Sequence, residues 1–446
     1  MNKKIIPSIF GCALMSGIFF APMAHAQEAA PAVVSGFSPE ATYIINSFML
    51  LIFGMFVMFM SCGFAMLEAG MVRYKNVGVI VLKNLVLYAI AAIVFYLFGY
   101  NLMYEGVDGG YVGSFGIWSP NDTAAHAGDY VTQKYASSAY WFFQMVFVAT
   151  AASIVSGAVA ERMKILTFFV FTACMSGFIY PIAASWKWGG GWLHVMGFQD
   201  FSGSTLVHSV GGWCALIAVW LTGARAGRFD EQGKPVAIPP SNVITVCLGT
   251  FILWLGWLAF NGGSQLSFST ATDVLAISNI FVNTNAAAAA GVVAVMLCTL
   301  MMRKKIDAYL TLNGALAGLV SITAEPLAPT MMQATIIGAV GGILMIVSTS
   351  LLERAKLDDV VGAIPVHLVC GVWGTLIVAW TNSTATLMVQ LTGVVAYALF
   401  SIVCSMILWG VLKQTMGLRI DSMQEEKGLD IEELGLEGLP YLRSNG

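Results

Sequence analysis

The chain has 446 residues, 58% of them hydrophobic and only 10% charged. Soluble domains carry about a quarter charged residues, so this composition excludes an ordinary soluble fold and fits a polytopic membrane protein. A formal net charge of −3 lacks the basic excess of a nucleic-acid binder.

The first segment reads as a secretory signal peptide (1–26). Lys3 and Lys4 precede an apolar run over 5–20 and the small-x-small site Ala24-His25-Ala26. Cleavage after Ala26 leaves a mature chain that starts outside the membrane at Gln27. The main domain then covers 27–412. Its eleven apolar runs, each near the about 20 residues needed to span a bilayer, lie at 42–68, 79–100, 138–159, 165–185, 203–222, 242–263, 274–301, 308–324, 333–352, 362–380 and 386–412. Arg73 and Lys75, Arg162 and Lys164, Arg225, Arg228 and Lys234, Arg303 to Lys305, and Arg354 and Lys356 fall in alternate loops. The opposite loops hold only Lys134 and Lys187. This asymmetry sets the N-terminus outside and the C-terminus in the cytoplasm. The long loop 101–137 is then external. The tail 413–446 is cytoplasmic, with one short helix near 424–434; it reads as an interaction segment or a disordered end.

Of the eight cysteines, Cys12 leaves with the signal. The other seven lie in apolar runs without a CxxC motif and read as small core residues, with no disulfide and no structural zinc.

Two stretches share one pattern. DFSGSTLVHSVGGW (200–213) and DVVGAIPVHLVCG (359–371) both read D-x-x-G-x-x-x-V-H-x-V-x-G. The loop charges give them opposite directions: Asp200 opens its helix at the outer side, Asp359 at the inner side. GFAMLEAG (63–70) and GWLAFNGG (256–263) form a second inverted echo. Spans 1–5 and 6–10 therefore read as two halves of inverted topology, with span 11 added, a plan that places substrate near the midplane. Eight helical residues put each histidine about 12 Å from its aspartate. In a core about 30 Å thick the two rings then differ by about 6 Å in depth. His25, His126 and His194 lie elsewhere, so every intramembrane histidine belongs to the pair His208 and His367. A single such residue is usually a structural hydrogen-bonding group; a matched pair points to a pathway. Two imidazoles can share a proton and turn their other nitrogens to a lumen. Metal binding needs more ligands than this pair offers, and no Cys, Asp or Glu adjoins either histidine. No cofactor is expected, and no nucleophile–base pair suggests an enzyme.

The sequence resembles the ammonium transporters of the Amt/Mep/Rh family over nearly the whole mature chain. The resemblance rests on FAMLEAGMVRYKN, SGAVAERM, DFSGSTLVH, WLAFNGGS, NTNAAAAAG and DDVVGAIPVHLVCGVWGTL. It implies an all-α, eleven-helix bundle with one pore per subunit, assembled as a homotrimer in a bacterial cytoplasmic membrane. It implies an outer ammonium-recruiting site at Phe143, Trp188 and Ser264, where aromatic faces and a hydroxyl attract a cation. Lys187 then points to solvent. Phe147 and Phe260 match the family's stacked gate; His208, His367 and Trp257 match its pore lining. Asp200 matches a required aspartate that lies outside the pore. Its chemistry is that of an N-cap, and Asp359 is its counterpart. Ammonium, with methylammonium as an analogue, is the implied cargo, crossing as ammonia after shedding a proton. An ammonium sensor signalling through the tail and an Rh-like gas channel are the alternatives. A PII signalling protein is the partner that bacterial relatives imply. Here Gly428-Leu429-Asp430 continues as IEELGLEGLPYL, without the relatives' His-Gly-Glu.

Overall fold

The computed structural model describes residues 36–439; the signal segment 1–26 lies outside the described residues. The chain is all-helical, with no strand among the described residues and two isolated β-bridges, Met163 with Arg419 and Phe229 with Pro235. Among the described residues ten helices are long and apolar enough to cross a membrane. They are α1 (Pro39–Met71), α2 (Tyr74–Tyr104), α3 (Ser137–Ala158), α4 (Ile165–Ser185), α5 (Ser204–Thr222), α6 (Val243–Gly263), α7 (Ala271–Arg303), α9 (Met331–Arg354), α10 (Ile364–Thr381) and α11 (Leu387–Thr415). Between α7 and α9 runs α8 (Ala308–Ile322). It is shorter than the expected 308–324 and at about 1.5 Å per residue spans about 22 Å, less than the hydrocarbon core.

Helix starts follow local chemistry. Ser38 caps α1, accepting from the Ala41 N–H at 3.2 Å, with Pro39 in the first turn, so α1 begins three residues before the expected 42. Thr270 and Asp273 form a capping box at α7, and Thr330 and Gln333 form another at α9. Such caps satisfy the orphan N–H groups of a first turn.

Packing sorts the helices into inner and outer sets. α3 is buried on nearly every face and α5 on most of its surface. α1, α7 and α11 keep broad apolar faces open, for example Phe48, Phe59, Val282 and Leu399. In a bilayer those faces meet acyl chains rather than water. Cys62 sits on such an exposed face, while Cys214 and Cys370 are fully buried. The expectation of seven core cysteines is thus corrected: a thiol facing lipid costs nothing that burial would save. All seven are unpaired thiols.

α1 and α6, which carry the GFAMLEAG and GWLAFNGG echoes, lie against each other through glycine. A Cβ on Gly249 would stand 2.7 Å from the Gly63 carbonyl oxygen, and one on Gly256 would stand 2.9 Å from that of Phe56. Close backbone approach at small residues is how helices associate where lipid removes the hydrophobic drive.

The tail is neither one helix nor a free end. It forms α12 (Ser422–Lys427) and α13 (Leu429–Leu434), broken at Gly428 with φ +106. It is also docked. The Asp430 carboxylate accepts from the N–H groups of Gly78 (2.9 Å) and Val79 (2.8 Å) at the start of α2, and Glu425 accepts from Ala226 N–H at 2.7 Å.

Candidate functional site

The two D-x-x-G segments fold alike, save that the position of Leu206 is taken in the second by Pro365, which has no N–H to give. Asp200 accepts from Gly203 N–H (3.1 Å) with one oxygen and from Thr205 (3.0 Å) and Leu206 (2.8 Å) with the other. Asp359 accepts from Gly362 N–H (3.0 Å) and Ile364 N–H (2.6 Å). The glycines are required: Gly203 has φ +100 and Gly362 φ +78, in the left-handed region. Gly203 rather than Asp200 holds the cap position of α5. The carboxylate reaches over it to the first-turn donors. The helices start at Ser204 and Ile364, and their first turns, Ser204–Ser209 and Ile364–Val369, are π-wound. The spacing of about 12 Å between Asp and His therefore overestimates the advance, since the residues after each aspartate form a turn and the wide π coil holds more residues per turn.

The last glycine of each motif lets α5 and α10 cross. A Cβ on Gly212 would lie 2.6 Å from Leu368 Cβ, and one on Gly371 would lie 2.5 Å from Ser209 Oγ. At that crossing His208 Nδ1 and His367 Nδ1 are 3.2 Å apart, with ring centroids 5.2 Å apart. One Nδ1 must carry a proton and the other accept it. Hence one ring offers an acceptor at Nε2 and the other a donor. Both rings are buried, and His208 Nε2 has no hydrogen-bond partner.

An aromatic column runs from this pair. Trp257 stacks on His208 at 4.8 Å and donates its indole N–H to Thr323 Oγ1 at 2.7 Å. Phe260 lies 5.6 Å from His208 and stacks on Phe147 at 3.9 Å. Phe147 touches Phe143 at 4.9 Å and meets Trp188 edge-on at 5.7 Å. Gly263 leaves room for the Phe143 ring, to which its Cβ would stand 2.6 Å away at Cζ. That brings Phe143 beside the helix end carrying Ser264. The Ser264 hydroxyl donates to the Phe260 carbonyl at 2.9 Å, so its oxygen stays free to accept. Trp188 is held by its indole N–H on the Asp200 carbonyl at 3.1 Å, which ties this aromatic to the turn that starts α5. Lys187 is half-buried rather than solvated, 3.4 Å from Gln199 Oε1. Burial lowers its pKa, with the Asp200 charge opposing.

At the opposite end the structure adds Lys83, which the sequence reading passed over. Glu68 is buried with Lys83 at 3.8 Å and accepts from Ser156 Oγ at 2.8 Å. Lys83 is the one lysine inside the second apolar run, and an intramembrane cation is a signal in itself. Thr323 and Asn313, by contrast, gave no signal, because each contacts residues distant in sequence. Below lies a charged layer: Glu161 binds Arg73 and Arg225, and Arg225 pairs with Asp358 at 2.8 Å. Burial would raise the Asp358 pKa, but bonds from Arg225 and the nearby Arg162 charge outweigh it and hold the carboxyl below its usual range. Among the described residues no three His, Cys, Asp or Glu side chains cluster to hold a metal.

A narrow, aromatic-walled column ending on a hydrogen-bonded imidazole pair can select a small molecule with N–H or O–H groups. The imidazole pair offers no hydrogen bond to an ion without N–H or O–H groups. Residues 48–439 match the sequence profile described as "Ammonium Transporter Family". A Synechocystis protein is 41% identical, with 94% of each chain covered. The Archaeoglobus fulgidus protein named "Ammonium transporter Amt2" is 40% identical over 86% of each chain. A solved structure called "Sensor Amt Protein" superposes with a TM-score of 0.83 at 36% identity, covering 89% of this chain and all of its own.

Proposed function

The chain belongs to the ammonium transporter family, and from that premise we propose that it moves ammonium across a membrane by passing ammonia through the column of Phe147, Phe260, His208 and His367. The observation that carries this reading is the 3.2 Å contact between two buried imidazoles where α5 and α10 cross. Phe143, Trp188 and Ser264 recruit the cation at the outer end, where ring faces and the free hydroxyl oxygen attract it. Burying a bare cation between Phe147 and Phe260 costs several kcal/mol or more. Potassium cannot avoid that cost, whereas ammonium can: it gives one proton back to water at the outer face and enters the column as neutral ammonia. Ammonia then exchanges hydrogen bonds with the two Nε2 atoms, one donating and one accepting, while Trp257 walls the lumen. Asp200 and Asp359 act by fixing the turns that aim the histidines.

In the same proposal α8 and the buried segment after it complete an eleventh crossing, the halves 1–5 and 6–10 are inverted repeats, and three chains assemble as a trimer in the bacterial cytoplasmic membrane. The N-terminus is outside after signal cleavage and the docked tail is cytoplasmic, where a PII-type protein is the proposed partner. The likeness to "Sensor Amt Protein" favours one second reading, a sensor that binds ammonium and signals through α12 and α13. Ammonium and methylammonium flux into proteoliposomes of the full chain separates the two. Saturable flux above empty liposomes supports transport, and binding without flux supports the sensor.

A further inference from the structure

Beside His367, at the end of the column away from Phe147, lies a cavity of about 20 Å³ lined by Glu68, Ser153 and Asn313 among apolar neighbours. That is room for one water-sized molecule. Its polar groups share one character. Glu68 is 1% exposed, and only its Oε2 is engaged, by Ser156 Oγ at 2.8 Å and by Lys83 at 3.8 Å; Oε1 has no hydrogen-bond partner. The Asn84 side chain adjoins the same carboxylate, and its Nδ2 donates to the Ile80 carbonyl at 3.0 Å. Asn313 is 5% exposed. Its Nδ2 donates to the Val361 carbonyl at 2.8 Å, which fixes the amide and leaves Oδ1 unpartnered. Ser153 donates its hydroxyl to the Ala149 carbonyl at 3.0 Å, so its oxygen can only accept. Lys83, the nearby donor, gives its ammonium to the Ser156 carbonyl at 2.8 Å.

Two unpartnered oxygens, Glu68 Oε1 and Asn313 Oδ1, and the acceptor-only Ser153 Oγ make an acceptor-rich surround. Water brings two lone pairs that need donors, and ammonia brings one. Ammonium brings four N–H donors and none. A carboxylate oxygen and a small volume add charge and size discrimination. We propose that this cavity is an ammonium site at the far end of the lumen, in which Glu68 Oε1, Asn313 Oδ1 and Ser153 Oγ hold ammonium that is presented from the Glu68 side. The proposal rests on the transport reading above.

The test measures half-saturating ammonium for flux of the full-length protein in right-side-out and inverted vesicles. Glu68→Gln removes the charge and Asn313→Leu removes the amide acceptor. Because Glu68→Gln strands Lys83, the double variant Glu68→Gln/Lys83→Met is run beside it, neutral at both positions. Loss of one charge-assisted hydrogen bond raises half-saturation about tenfold for ammonium presented on the Glu68 side, with less than about a twofold change from the other side. Asn313→Leu shifts the same face in the same direction. An unchanged half-saturation on both faces in the folded double variant overturns the site. An equal rise on both faces does so too, because it marks a structural role. A wild-type chain without ammonium flux overturns the transport reading itself, and the site with it.

Discussion

Replacing Gly212 by alanine tests whether small residues set the distance between the histidines. The new Cβ would stand 2.6 Å from Leu368 Cβ, 2.7 Å from its nitrogen and 2.8 Å from its Cα. Ordinary carbon contacts lie at about 3.5–4.0 Å, so α5 and α10 must part by about 1 Å. The obstruction is backbone and cannot rotate away. Leu368 follows His367 directly, so the displacement falls on a hydrogen bond now 3.2 Å long. At about 4 Å that bond no longer exists. Overpacking costs about 1–3 kcal/mol, and the lost buried bond adds about 1 kcal/mol. Gly410→Ala on α11 is the control, since a Cβ there meets nothing within 4 Å. Gly212→Ala should lower the apparent thermal midpoint of the detergent-purified protein and cut ammonium flux in proteoliposomes, with Gly410→Ala matching wild type in both. Equal midpoints and equal flux for the two variants would refute the close-crossing argument.

Asp200→Asn turns an amide N–H toward one of the three backbone donors that the carboxylate satisfies. It should cost about 2–4 kcal/mol, read as a lower unfolding midpoint, while Asp200→Ala should cost more. Lys83→Met leaves the Glu68 charge buried without its counter-ion. It should destabilise by about 3–5 kcal/mol, and Glu68→Gln/Lys83→Met should recover most of the midpoint. Asp430→Ala orphans the Gly78 and Val79 N–H groups. Limited proteolysis should then cut the tail faster than in wild type, with the membrane domain left intact.

Much of the fold was legible because lipid imposes a strong pattern on sequence. A run of apolar residues must be a helix when no water can satisfy its backbone. The helices accordingly fall on the expected runs, and the extensions at α1 and α2 come from cap chemistry at Ser38 and from polar residues that continue the helix beyond the apolar core. α8 and α10 each fall two residues short at one end: the apolar pattern of α8 runs to 324 but its helix ends at Ile322, and that of α10 opens at 362 but its helix starts at Ile364. The D-x-x-G-x-x-x-V-H repeat made the histidine pair visible, since each half carries its own aspartate, its own left-handed glycine and its own ring. Its spacing misled in one respect, because hydrophobic periodicity does not reveal a π turn. Lys187 was expected in solvent, yet Gln199 from the following loop holds it half-buried. The acceptors around the Glu68 cavity were hidden for a similar reason. Ser153 and Asn313 look like small polar residues on helix faces, and only the packing of α1, α3, α8 and α10 turns their oxygens into one site. The tail shows the same limit: Asp430 reads as one acid among several until its two N–H partners on α2 are seen.

The most direct measurement is ammonium and potassium flux in proteoliposomes of the full chain, wild type against His208→Ala/His367→Ala. A path lined by the imidazole pair predicts ammonium flux without potassium flux in wild type, and a loss of that discrimination when both rings are gone. A double variant that still moves ammonium and still excludes potassium would contradict a role for His208 and His367 in selection.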